Sequence, residues 1–204
     1  MNKSHLFLAL PVCSSIWFAT SIIIAGHFYP NYSHVSQFIS ELGATGSPDG
    51  TLVNYLGFIP TELLILSFVT IGFSVLPKTK KNAAGLILIA IYAFTLGIAA
   101  MFPCDFGCGP EVSSVSHRIH ILSAILGYSC AIAAIFLISS GSNDWSKSKY
   151  FSTAGYILGI LAIAAFINLN PEFNMVGAIQ RVLEISIYTW LILLGLLVYR
   201  FRPA

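Results

Sequence analysis

Six apolar runs, each about as long as a bilayer is thick, constrain this chain before any other feature is read. They lie at roughly 6–28, 52–76, 83–102, 117–140, 151–169 and 178–199 of 204 residues. A helix rises about 1.5 Å per residue, so about 20 apolar residues cross the roughly 30 Å of hydrocarbon in a membrane. Charge agrees with that reading: 9% of the residues are charged, where a soluble domain carries about 25%. Mean hydropathy is +0.82. A β-barrel would show short alternating segments, and alternation is absent. The first run is longer than the apolar core of a signal peptide and ends without a small-x-small cleavage site, so it reads as a span. The expected fold is all-α and polytopic, six transmembrane helices in one bundle forming a single domain over 1–204.

Basic residues set the expected orientation. Lys3, Lys78, Lys80, Lys81, Lys147, Lys149, Arg200 and Arg202 fall on one side of six spans, leaving Arg118 and Arg181 near the other. Lys and Arg are retained in cytoplasmic loops. This predicts an integral protein of a bacterial inner membrane with both termini cytoplasmic. The acids do the reverse. Glu41, Asp49, Asp105, Glu111 and Glu172 fall in outer loops and Glu62 and Glu184 in the outer halves of helices, against Asp144 inside. Acids carry little topological weight, so their asymmetry places the chemistry on the outer side. There, in "FPCDFGC", Cys104 and Cys108 suit a disulfide in an oxidising compartment, or two thiolate ligands that are half a metal site.

The longest gap between runs is "YPNYSHVSQFISELGATGSPDG", residues 29–50. Pro30 ends the first span, Ser33 is a fair N-cap, and Gly43 suits the left-handed position past a helix end. Val35, Phe38, Ile39 and Leu42 recur at helical spacing, which predicts a short interfacial helix over 34–42 lying on the outer surface. His34, Gln37 and Glu41 occupy another face. "ATGSPDGT" then turns the chain into the second span.

Polar residues also stand within the spans. His117 and His120 share a face that Ser113 and Ala124 extend, while Arg118 points elsewhere. Arg181 and Glu184 are spaced for a local ion pair, with Tyr188 continuing their stripe. The second span carries Asn54, Thr61 and Glu62, loosened by Pro60. An ionisable group at such depth costs about 2.5–3.5 kcal/mol, so it should face the bundle interior with a partner. Arg181 and His120 are the nearest candidates for Glu62 by depth. The simplest arrangement is one polar cavity opening outward under the interfacial helix. The bland alternatives are a buried ion pair that specifies packing and hydrogen-bonded core histidines.

Several chemistries lose support. Every lysine is at the cytoplasmic ends, so no buried amine could carry a retinal Schiff base. GxGxxG and GxxxxGK[ST] are missing, so nucleotide binding has no motif. "KTKK" is too short to suggest nucleic acid, no nucleophile elbow occurs, and no half-chain repeat suggests a transporter. Three functions remain. The first is lipid handling without catalysis, with Arg118 or Arg181 on phosphate, Glu41 and Glu62 on amines or hydroxyls, and Gln37, Glu184 and Tyr188 beside them. The second is a metal-dependent hydrolase or transferase on an outer-leaflet lipid. His34, His117 and His120 would bind zinc or another divalent cation, with Glu41 or Asp105 as fourth ligand or base. The third is a structural or partner-docking subunit.

"YSHVSQFISELGATGSP", "FPCDFGC", "SHRIHILSA" and the "QR" opening the sixth span together resemble an uncharacterised bacterial six-helix membrane family, a domain of unknown function. That resemblance covers nearly the whole chain and implies a fold without an activity. More remotely, Ile39, Ser40, Glu41 and Gly43 followed by His117 and His120 are similar to the autophagy-modulator and GPI-lipid remodelling membrane families. Glu here replaces their Asp, Leu replaces their Thr, and their preceding Pro is missing. The remote resemblance implies a role with lipid.

Overall fold

The computed structural model describes residues 2–109, 113–145 and 149–201; Glu111, Lys147 and Arg202 lie outside them. Six helices carry the fold: α1 Lys3–Phe28, α2 Gly50–Val75, α3 Lys80–Met101, α4 Val115–Ser142, α5 Lys149–Ile167 and α6 Val176–Phe201. Each is long and apolar enough to cross a membrane, and the described residues contain no strand.

Successive helices pack side by side and α6 closes on α1, so the bundle is a ring. Lipid tails are as apolar as Leu, so close packing rather than exclusion from water holds such helices together. Small residues allow it. A Cβ on Gly85 would stand 2.3 Å from Ile138, and one on Gly155 only 2.0 Å from Ser139 Oγ. That second approach lets Trp190 Nε1 donate to Ser139 Oγ at 3.0 Å in the centre of the bundle. Phe7 stacks on Phe68 with ring centroids 4.1 Å apart. Ile23, Leu63, Phe94, Leu122, Ile160 and Ile185 point outward and form the surface that meets lipid.

The start of α2 is irregular. Residues Val53–Phe58 are π-helical, immediately before Pro60. Proline has no N–H and crowds the carbonyl four residues back. Here that carbonyl, of Leu56, accepts Trp17 Nε1 from α1 at 2.8 Å, so a side chain satisfies what the helix gives up. The widened turn also leaves Asn54 free to donate to the Gly43 carbonyl at 2.8 Å.

Residues 29–49 cap one end of the ring. The helix expected over 34–42 does not form; a single turn at Ser33–Gln37 is followed by a 3₁₀ helix, Ile39–Gly43. The break is at Phe38, which is extended at ψ 149°. Side chains claim its backbone: Glu41 Oε1 accepts the Phe38 N–H at 2.8 Å, and Tyr32 donates to its carbonyl at 2.8 Å. The apolar stripe therefore splits. Ile39 and Leu42 are buried against Ile22 and Val53, while Val35 is exposed. The stretch plugs into the bundle instead of lying on a surface. Gly46, with φ 86°, takes the left-handed turn expected at Gly43. Gly43 matters for a different reason: a Cβ there would meet Asn54 Oδ1 at 2.1 Å and push that side chain aside. The first turn of α1 and the last turn of α6 lie at the opposite pole, where His5 and Tyr199 pack ring against ring at 4.9 Å.

Candidate functional site

Beneath the cap lies a cavity of about 470 Å³. α4 contributes Ile121, Ile125 and Tyr128 to it, α5 Phe166, and α6 Gln180. Ile125 is 49% exposed, so the apolar wall runs out to the lipid-facing surface. Its inner end is polar, with Ser40 of the cap, His120, Tyr128 and Gln180. The same four residues line a second, smaller chamber of about 60 Å³, which adds Asn54, Glu62 and Glu184. The two spaces share these walls, and a pair of carboxyl groups lines the smaller one.

A chain of hydrogen bonds ties the cap to that chamber. The Ile39 N–H donates to Gln180 Oε1 at 2.7 Å, and Gln180 Nε2 donates to the Tyr128 hydroxyl at 3.4 Å. Tyr128 in turn donates to Glu184 Oε1, and Tyr92 donates to Glu184 Oε2 at 3.4 Å. Glu184 is thus held by two phenols and makes no ion pair with Arg181. Three residues separate them on α6, and the two side chains diverge: Glu184 is buried in the bundle while Arg181 reaches up into the cap.

Arg181 fastens the cap. Its guanidinium donates to the Gly177 carbonyl at 2.9 Å, the Gln37 carbonyl at 3.4 Å, the Tyr32 hydroxyl at 3.0 Å and His34 Nδ1 at 2.8 Å. Because arginine only donates, His34 Nδ1 must accept. Burial, with the Arg181 charge adding to it, lowers the His34 pKa from 6.5. Burial also raises the Tyr32 phenol, partly offset by Arg181. Gln37 closes the loop from within, donating to Glu41 Oε2 at 2.9 Å and accepting the Ser33 N–H at 2.8 Å. Burial raises the Glu41 carboxyl despite those bonds.

His117 is 6% exposed at the start of α4; its Nδ1 accepts the Asp105 N–H at 3.2 Å and stands 4.0 Å from Asp105 Oδ2. The Ser114 N–H donates to Asp105 Oδ2 at 2.8 Å, and this bond and the Ser114 hydroxyl hold the Asp105 carboxyl below its usual range. His120 Nδ1 donates to the Ala99 carbonyl at 2.8 Å. Both rings line the larger cavity. Cys104 and Cys108 are joined as a disulfide under the cap, with Ser40 Oγ 3.4 Å from Cys108 Sγ.

The sequence-predicted residues therefore separate into three groups. Glu62 and Glu184 share the chamber, and His117 and His120 share the cavity above it. His34, Gln37, Glu41 and Arg181 form the fastening of the cap. Arg118 is exposed, and Tyr188 packs on Phe18 at 5.4 Å. Neither Arg181 nor His120 bonds to Glu62, whose Oε2 has no hydrogen-bond partner among the described residues. Among those residues no three His, Cys, Asp or Glu side chains gather as a ligand set.

Sequence reasoning missed Tyr92, Tyr128 and Gln180. Two of them carried a signal. The stripe His117, His120, Ala124 continues one turn further to Tyr128, and Gln180 stands one turn before Glu184. Tyr92 carried none, being a lone phenol in an apolar run.

A family model described as a protein of unknown function (DUF998) matches residues 12–197, and the chain belongs to that family. No curated protein and no solved structure matches the chain.

Proposed function

We propose that this chain binds the polar end of an amphiphile, such as a lipid headgroup, drawn in from the membrane through the cavity under the cap. The observation that carries the reading is a juxtaposition: an apolar wall reaching the lipid-facing surface adjoins a chamber lined by two buried carboxyl groups. Ligand sites are mostly apolar with a few placed polar groups, and this one has that composition. Ionisable residues inside a membrane protein mark a functional site by default, because their burial is costly. In the proposed orientation the capped end faces away from the cytoplasm of a bacterial inner membrane and the amphiphile comes from the outer leaflet. Lys3, Lys78, Lys80, Lys81 and Lys149 at the opposite end support it.

Lipid analysis of the protein purified in mild detergent tests the reading. Wild type should retain one lipid class above its share of the membrane, and Ala124→Trp, which places an indole on the wall common to both spaces, should lose it. Bound lipid that mirrors the bulk membrane in both proteins would overturn the reading.

One observation favours a second reading, a metal-dependent hydrolase or transferase acting on the same amphiphile. His117 and His120 both line the cavity, and Asp105 backs His117. His34, engaged by Arg181, would have to leave its place to complete the ligands. Elemental mass spectrometry of chelator-free protein decides it. About one divalent ion per chain, lost in His117→Ala/His120→Ala, keeps this reading, and no stoichiometric metal removes it.

A further inference from the structure

Glu62 is 5% exposed, and its Oε2 has no hydrogen-bond partner among the described residues. It lines the inner chamber together with Glu184, whose two oxygens are already engaged by Tyr128 and Tyr92. A buried carboxyl oxygen left without a donor is costly, so a native structure holds one where something else supplies the donor. No Lys or Arg lines either space, and Arg181 is engaged in the cap. The chamber is therefore rich in acceptors, acidic and without a counter-charge.

We infer that the polar end of the ligand is a protonated primary or secondary amine, which enters the inner chamber and donates to Glu62 while the alkyl part lies along Ile121, Ile125 and Phe166. This rests on the amphiphile reading and names its chemical class. Three features select the amine. An ammonium group supplies both the missing charge and the missing N–H donors, and charge-assisted bonds of this kind are about twice as strong as neutral ones. A phosphate-ended amphiphile would bring negative charge to two carboxyl groups with no cation to receive it. A trimethylammonium end has the charge but no N–H. The volume of about 60 Å³ is several times the roughly 10–15 Å³ that one water needs, which admits a small ammonium head. The apolar wall explains why the cation should be attached to a chain: a bare inorganic cation has no use for it.

Isothermal titration of the purified protein in detergent with dodecylamine, dodecanol, dodecyl phosphate and dodecyltrimethylammonium tests the inference. Dodecylamine should bind at least about tenfold more tightly than the other three. Glu62→Gln, nearly isosteric, should reduce that preference to about twofold. Amine and alcohol binding with equal affinity, or a Glu62→Gln protein with its preference intact, overturns the amine and leaves the amphiphile reading standing. Tightest binding of the phosphate, or of the trimethylammonium ligand, also overturns it. Failure of all four to bind a folded protein overturns both. The wild-type comparison needs no variant, so it stands even where Glu62→Gln folds poorly.

Discussion

Ile39 and Gln180, 141 positions apart, meet where the Ile39 N–H donates to the Gln180 side-chain oxygen at 2.7 Å. This bond makes the cap and the sixth helix one unit, because Gln180 also reaches Tyr128 and through it Glu184. The site is thus built from both ends: the bundle supplies the carboxyl groups, and the cap supplies the lid over them.

The first prediction concerns that joint. Gln180→Ala leaves the buried Ile39 N–H without an acceptor, at a cost of about 1–3 kcal/mol. Amide hydrogen exchange should accelerate by about tenfold or more at Ile39 and its neighbours in the cap, with exchange in the middle of α3 unchanged. Thermal unfolding in detergent should shift downward. Uniform acceleration through all six helices would mean that Gln180 supports the whole bundle and not the cap.

The six helices were legible because each apolar run has the one length that lipid demands, and Lys3 or Lys80 marks where a run must stop. The cap was not. Val35, Phe38, Ile39 and Leu42 fit a helical stripe, yet Glu41, Tyr32 and Gln180 take the backbone groups that a helix would need. Two of those are local, but Gln180 comes from the far end of the chain, and no periodicity in residues 34–42 records it. The site shows the same limit. Glu62 announced itself as an acid at depth, whereas its neighbour Glu184 was assigned to Arg181 by spacing alone. Spacing gives the face of a helix but not which way a long side chain leans, and Arg181 leans toward the cap.

A pH dependence follows from His34. Its pKa in the fold is below the ordinary 6.5 because burial, with the Arg181 charge adding to it, disfavours the protonated ring. The unfolded or undocked chain then binds more protons between the two values, so docking strengthens as pH rises through that window. The contribution is fully present above about pH 6.5 and is lost as pH falls through the lowered value. Hydrogen exchange at Tyr32–Gln37 should therefore quicken on acidification over that range. His34→Gln, which can still accept from Arg181 but does not titrate, should flatten the response. A response unchanged in His34→Gln would place the titrating group elsewhere.

Two glycines should differ in what a methyl group does to them. A Cβ at Gly177 would stand 2.2 Å from the Gln37 carbonyl oxygen and 2.8 Å from that of His34, both backbone atoms. At Gly43 the obstacle is the Asn54 side chain, which can rotate away at the expense of its bond to the Gly43 carbonyl. Overpacking against fixed atoms costs typically about 1–3 kcal/mol. Gly177→Ala should accordingly lower the midpoint of thermal unfolding more than Gly43→Ala and should undock the cap. The reverse order would show that the Gln37 backbone moves easily and that the fastening by Arg181 is loose.

The disulfide supplies the last prediction, which bears on both stability and orientation. Cys104 and Cys108 close a short loop, with a sequence separation of 4. The chain-entropy account assigns so small a loop about 2 kcal/mol, so Cys104→Ser/Cys108→Ser should loosen the cap, which hangs on it through the Thr45 N–H to Cys104 carbonyl bond of 2.8 Å, without unfolding the bundle. In intact cells treated with a membrane-impermeant reductant, an impermeant maleimide should then label Cys104 and Cys108 of the wild-type protein. Cys130 is buried and Cys13 lies within an apolar span, so neither should react, and the double serine variant gives their background. Lysed cells control for access to a buried pair. Equal labelling before and after lysis puts the capped end outside, where an oxidising compartment keeps the bond closed. Labelling confined to lysed cells would turn the capped end toward the cytoplasm, and the amphiphile would then have to come from the inner leaflet.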